Sequence, residues 1–254
     1  MKIEKFIKDS TNKYKLIIDG ETFKLYDDVI LKFQLIMKED ITQKELDEVL
    51  DYNEKLTSYY DSIRYLNKKM RSEKEIREYL KKKFVSNENI DLTIEKLKNN
   101  NFINEDIYIK SYINDQINLT NNGPHKIINN LIKLGITEEK IYEKMSLIDS
   151  SIWNEKIDKY IDKKIRVNHK NSKTMLKMKI VNELINLGYE KEMILNNLSN
   201  YDIIDKDIYK SEYEKAKKTL EKKYSGYELD KKIKERLYRK GFNILEHMGD
   251  NYEE

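Results

Sequence analysis

Four times along this chain a helical stripe of apolar residues ends at the same kind of stop, and the stops recur at spacings of 52, 53 and 53 residues. They are Lys83-Phe84, Gly135-Ile136, Gly188-Tyr189 and Gly241-Phe242. Counting back from the first member of each pair, position −4 holds Tyr79, Leu131, Leu184 and Leu237, and position −3 holds Leu80, Ile132, Ile185 and Tyr238. Position −7 holds Ile76, Ile128, Val181 and, out of pattern, Lys234; position −8 holds Ile127, Ile180 and Ile233, with Glu75 in the first copy. Residues so spaced lie along one side of an α-helix. A glycine just beyond the stripe suits a left-handed C-terminal cap, and the apolar residue after it folds back onto the helix. A further helix follows each stop, at Ile90/Ile94, Ile141/Met145, Ile194/Leu198 and Ile244/Met248. Another precedes each stripe: Tyr59 to Lys69, Ile107 to Leu119, Ile157 to Lys170 and Tyr209 to Lys223. One such unit buries only a thin core, so neighbours are expected to stack.

The first 26 residues read differently. Ile3–Ile7, Tyr14–Ile18 and Thr22–Tyr26 are short runs of partial alternation, and Asp19-Gly20 between the last two is the preferred residue pair for a type I′ hairpin. A sheet this small needs a helix against one face; Asp27 to Phe33 supplies one. Thr42-Gln43-Lys44-Glu45 is a capping box opening a helix over about 43–55. The expected fold is therefore mainly α: tandem three-helix repeats forming an elongated curved array, with a small N-terminal antiparallel β-meander. The expected division is 1–56 for the meander and its helices, then repeats at 57–106, 107–152, 153–205 and, truncated, 206–254.

Composition narrows the chemistry. The chain has no cysteine, which excludes disulfide scaffolds, thiol nucleophiles and Cys-ligated metals. Its one proline and seven glycines do not suit a turn-rich sandwich or barrel. His125, His169 and His247 stand far apart, without a ligand at metal-binding spacing. Gly123-Pro124 reads as a helix start and Ser72-Glu73-Lys74-Glu75 as a second capping box. No phosphate loop, nucleophile elbow or acid–base pair is visible. The expectation is a cytoplasmic, monomeric protein that is not an enzyme, with no cofactor, no catalytic residue, no metal site and no membrane segment.

The net charge of +3 conceals segregation. Residues 64–83 carry nine Lys and Arg against three Asp and Glu, residues 155–180 nine against three, and residues 215–240 eleven against four. Repeated basic blocks suit a polyanion such as nucleic acid, although lysine-rich helices also serve simply as solvated faces.

The repeat residues carry a family resemblance. Ile63-Arg64-Tyr65-Leu66, then Arg71 to Leu80, then Phe84 look like the first repeat of the RecX regulatory family. Ile103-Asn104-Glu105-Asp106-Ile107-Tyr108 resembles its junction between first and second repeats, and Gly123-Pro124-His125-Lys126-Ile127 with Leu134-Gly135-Ile136 its second-repeat opening. The N-terminal meander is similar to the extension of longer members. The chain departs from the pattern at Ile107, where members often have Arg.

The resemblance implies a regulator of the RecA recombinase, one that binds the RecA–DNA filament and inhibits its ATPase and recombination activities in DNA repair and the SOS response. Within it, the residues expected to meet phosphate or acidic recombinase surface are Arg64, Lys68, Lys69, Arg71, Lys74 and Arg77 of the first repeat. The third repeat adds Lys163, Lys164, Arg166, Lys170 and Lys173, and the fourth Lys231, Lys232, Lys234, Arg236, Arg239 and Lys240. They would grip single- or double-stranded DNA without reading sequence. Tyr65, Tyr79 and Tyr108 are expected in the core or partly buried, with base stacking open to any tyrosine left exposed. Two other readings stand beside this one: a sequence-independent DNA-binding repeat protein with no recombinase partner, and a protein-interaction scaffold.

Overall fold

The computed structural model describes residues 1–248, so the expected fourth repeat is seen except for 249–254, which lie outside the described residues. Three strands, β1 (Ile3–Ser10), β2 (Lys13–Ile18) and β3 (Glu21–Tyr26), form an antiparallel sheet in the order β1-β2-β3. Asp19 and Gly20 make the tight turn with φ of 46° and 79°, the left-handed pair that a type I′ hairpin requires. Helix α1 (Asp27–Lys32) and a short 3-10 turn (Leu35–Met37) follow. The sheet's Leu16, Ile18 and Leu25 pack with Val29, Ile30, Leu35 and Ile41 in one buried cluster.

Helix α2 (Gln43–Leu66) starts at the Thr42–Glu45 capping box. It corrects the expectation of two segments meeting near residue 56, because nothing from 43 to 66 is a glycine or proline that would break it. Its first turns give Leu46, Val49 and Leu56 to the sheet cluster, while Tyr59 belongs to the next cluster with Ile76, Leu80, Ile90, Ile94 and Leu97. One helix thus serves two cores, and the expected boundary at 56 falls inside it.

The remaining helices follow in threes. After α2 come α3 (Glu73–Lys81) and α4 (Asn87–Asn99); then α5 (Glu105–Leu119), α6 (Pro124–Lys133) and α7 (Glu138–Met145); then α8 (Ser150–Arg166), α9 (Lys173–Asn186) and α10 (Lys191–Ser199); then α11 (Lys206–Leu220), α12 (Gly226–Arg239) and α13 (Ile244–Met248). The chain divides into two compact units, Met1–Ser111 with Ile132–Thr137, and Tyr112–Leu131 with Glu138–Glu254.

The first stop is one residue later than the sequence alignment places it. The left-handed residue there is Phe84 (φ 61°), not Lys83, and the residue folding back is Val85, whose N–H donates to the Leu80 carbonyl. Tyr189 and Phe242 make the same bond to Leu184 and Leu237. Shifted by one, position −8 reads Ile76, Ile127, Ile180 and Ile233, and position −4 reads Leu80, Leu131, Leu184 and Leu237, all essentially fully buried. The Glu75 exception disappears. Burial selects this register, since hydrophobic area removed from water outweighs the roughly 1–2 kcal/mol of a left-handed non-glycine residue.

Within each unit the start of one middle helix meets the end of another. In the first, the Lys74 ammonium donates to the Lys133 carbonyl at 2.9 Å, where α6 ends beside Gly135. In the second, the Gly123 N–H donates to the Leu187 carbonyl at 2.6 Å and the His125 N–H to the Gly188 carbonyl at 3.1 Å, so the start of α6 caps the end of α9. There too, the Ser172 hydroxyl donates to the Lys240 carbonyl at 2.9 Å, and the start of α9 caps the end of α12. Helix C-termini leave carbonyls unpaired and slightly negative, and helix N-termini carry the complementary charge and donors. Gly188, with φ of 90°, tolerates this approach because a Cβ there would come within 2.5 Å of the Lys126 amide nitrogen.

Candidate nucleic-acid interface

The junction at Ser172 brings two basic blocks together. Ser172 caps α9 through its side chain, the Lys173 N–H donates to buried Asp205 at 2.6 Å, and the Lys173 ammonium reaches Glu246 at 3.3 Å. His247 lies 3.1 Å from Asp205 and stacks on Tyr209 at 4.1 Å, so this histidine lines a helix junction. The block ending α8 and opening α9 is thereby tied to the end of α12. His125 instead sits at the surface 3.3 Å from Glu190.

The seventeen cations read from the sequence divide by what they touch. Ten hold carboxylates of this same chain. Arg64 pairs with Asp61, which also accepts from Lys83; burial alone would raise the Asp61 carboxyl, but these two hydrogen bonds hold it below the ordinary value. Arg71 pairs with Glu75 at 3.0 Å and lies over the Tyr65 ring at 4.0 Å, Lys69 approaches Glu75 at 3.8 Å, and Arg77 bridges Glu73 and Asp91. Lys164 pairs with Glu183 at 2.7 Å, and Lys173 with Glu246. Lys232 and Arg239 share Glu235, Lys234 takes Asp230, and Lys240 takes Glu212. The pairs on Glu235, open to solvent on both sides, contribute about 0–1 kcal/mol each, whereas Arg71–Glu75 is largely withdrawn from solvent, with side chains 15% and 19% exposed.

The other seven are Lys68, Lys74, Lys163, Arg166, Lys170, Lys231 and Arg236, which make no ion pair among the described residues. Lys74 is committed to the Lys133 carbonyl. Lys68, Lys163, Arg166, Lys170 and Lys231 are exposed, and Arg236 is half-buried.

Sequence reading missed a groove of about 830 Å³ in the second unit. It runs between the end of α5, from Ile117 to Asn121, and the α8 face bearing Lys156, Lys159, Tyr160, Lys163 and Lys164. Lys156 donates to the carbonyls of Ile117 and Thr120, capping α5, and burial pushes its ammonium below the ordinary lysine value. The three-and-four spacing of Lys156, Lys159 and Lys163 was a visible signal; which lysine would be drawn in to cap α5 was not.

Tyr65 and Tyr79 stack face to face at 4.2 Å, and Tyr108 is buried with its hydroxyl 3.2 Å from Glu75. The expectation that these three are core or partly buried holds. Among the described residues no group of three His, Asp or Glu is placed to hold a metal ion, and no helix is long and apolar enough to cross a membrane.

Comparison with known proteins gives this arrangement a family. The family model described as "RecX, first three-helix domain" matches residues 59–97, the stretch from the second half of α2 to α4. A protein named regulatory protein RecX from Listeria innocua is 30% identical over 251 residues, spanning 96% of this chain and 93% of its own length. The chain belongs to the RecX family. The RecX proteins of Streptococcus agalactiae and Lactococcus lactis are 29% and 28% identical over 95% and 89% of the chain. Among solved structures, a crystal structure of regulatory protein RecX aligns with a TM-score of 0.61 at 23% identity, covering 77% of this chain and 98% of that one. RecX from Lactobacillus salivarius aligns at 0.55 and 24%, covering 60% of this chain and 99% of that one. Identities this low speak for the RecX fold and for nothing finer.

Proposed function

We propose that this chain regulates the RecA recombinase in the cytoplasm by binding the RecA–DNA filament and inhibiting its ATPase and strand-exchange activities, with no catalysis of its own. The observation that carries the reading is identity along nearly the whole chain to proteins named regulatory protein RecX, of which the Listeria relative is 30% identical. Basic blocks on three of the four repeats support a partner that presents phosphate. The six cations that make no ion pair among the described residues and no cap, Lys68, Lys163, Arg166, Lys170, Lys231 and Arg236, are its first contacts. Lys232 and Arg239, paired with Glu235 in the open, form a reserve that phosphate recruits by displacing that carboxylate.

The test is the DNA-dependent ATPase rate of RecA titrated with this protein. Inhibition well below one molecule per RecA protomer is expected, because a molecule seated in a filament acts on more than its own protomer. Charge reversal at Lys163, Arg166 and Lys170 together should raise the concentration needed. Salt-sensitive DNA binding without any change in ATP hydrolysis would refute the recombinase role and leave a DNA-binding repeat protein.

A further inference from the structure

Tyr65, Tyr79 and Tyr108 are occupied, but Tyr227 and Tyr238 are not. Tyr238, which the stripe pattern counts among the apolar positions, is exposed together with Ile132 and Ile185 of the same position −3. Tyr227 is 85% exposed and Tyr238 is 74% exposed, both on α12. Neither ring makes a hydrogen bond, stacking contact or cation contact with another described residue. At about 100° and 1.5 Å per residue, Tyr227, Lys231 and Tyr238 fall within about 40° of one another around the helix, with Lys231 about 6 Å above Tyr227 and Tyr238 about 10 Å beyond it. Lys231 makes no ion pair among the described residues. The opposite side of α12 is buried through Ile233 and Leu237.

A single exposed tyrosine needs no explanation. Two on one stripe, separated by an uncommitted ammonium, in a segment with eleven cations against four anions, form a pattern with a specific ligand chemistry. Aromatic rings stack on nucleobases whatever the base, and a lysine between them takes the phosphate. In a duplex the base faces are already stacked on each other, so only an unpaired strand can use both rings. The stripe is about 16 Å long, which corresponds to no more than about five nucleotides at the 3.4 Å spacing of a stacked strand.

Resting on the reading of the chain as a protein that meets a nucleoprotein filament, we infer that the outer face of α12 is a stacking platform for single-stranded nucleic acid. Tyr227 and Tyr238 hold bases, and Lys231 holds an intervening phosphate. Arg239, its side chain 78% exposed and only 3.9 Å from Glu235, is free to swing onto the same backbone.

The experiment uses the full chain and three fluorescein-labelled probes with no recombinase present: oligo-dT, an abasic strand of equal length, and a duplex. The double variant Tyr227→Ala/Tyr238→Ala should lose at least about thirtyfold in affinity for oligo-dT, two stacked bases being lost together. It should bind the abasic strand as the unaltered protein does. Tyr227→Phe/Tyr238→Phe should recover oligo-dT binding, because stacking needs the ring and not the hydroxyl. Lys231→Gln should weaken oligo-dT and the abasic strand together and lower the salt slope by about one. Both tyrosines are solvent-facing, so thermal melts should match across the set. Unchanged oligo-dT affinity in the Ala variant, equal loss on the abasic strand, or no binding by the unaltered protein would each overturn the platform. An effect of the tyrosine variants confined to RecA inhibition would overturn it too, by assigning the face to protein. RecA inhibition is read separately, so its failure is distinguishable from failure here.

Discussion

Replacing Gly188 with alanine tests whether the start of α6 truly caps the end of α9. Gly188 sits at φ 90°, and a Cβ would lie 2.5 Å from the Lys126 amide nitrogen and 2.7 Å from the Lys126 Cβ. A side-chain carbon needs about 3.5 Å from such neighbours, so the two helix ends must part by close to 1 Å. The Gly123–Leu187 and His125–Gly188 hydrogen bonds, at 2.6 and 3.1 Å, would then stretch or break. Their loss amounts to about 1 kcal/mol each, and the left-handed backbone adds about 1–2 kcal/mol. Gly188→Ala should therefore cost about 3–4 kcal/mol. Gly226 is the control: its φ is also positive, at 56°, but nothing lies within 4 Å of the position of its Cβ. Gly226→Ala should cost only the backbone portion, about 1–2 kcal/mol. Trp153, the single tryptophan, is buried in the same unit as both glycines and reports its unfolding by fluorescence. Urea titrations of both variants would measure the difference. Equal losses for the two would refute the claim that helix docking, and not backbone conformation alone, requires glycine at 188.

Two shorter expectations concern the first unit. Phe84 is 96% exposed in a left-handed conformation with φ of 61°, so Phe84→Gly removes strain without removing packing. It should leave stability unchanged or raise it by up to about 1 kcal/mol, the backbone relief being partly offset by a freer unfolded chain; a loss above that in a urea titration would mean that the Phe84 ring packs on something. The Asp61 carboxyl is held below its ordinary value of 3.8 by Lys83 and Arg64 against the opposing pull of burial. Its contribution to stability is therefore complete above about pH 4 and lost as pH falls through the lower, folded-state value. In urea titrations at descending pH, Asp61→Asn should flatten that acid loss, and an unaltered slope would show that the pairing contributes nothing.

The candidate interface was legible at the level of blocks and not of residues. The blocks at 64–83, 155–180 and 215–240 are counts, and counts survive folding. Which cations stay uncommitted depends on carboxylates far away in the chain. Lys164 meets Glu183 and Lys240 meets Glu212 across helix–helix contacts that no local spacing encodes. Tyr65 and Tyr227 look alike in sequence, yet one is stacked on Tyr79 and the other is 85% exposed.

What the sequence determined by itself is everything set within a few residues. The Asp19-Gly20 turn, the Thr42 and Ser72 capping boxes and the threefold rhythm of helices each rest on a hydrogen bond or an apolar stripe spanning one or two turns. Tertiary structure decided the rest. It ran α2 unbroken from the sheet cluster into the first repeat, moved the first stop from Lys83 to Phe84, and set Lys156 against the end of α5. In each case the local options were within a kcal/mol or two of one another. Burial against a neighbouring helix is worth more than that, and so the neighbour chose.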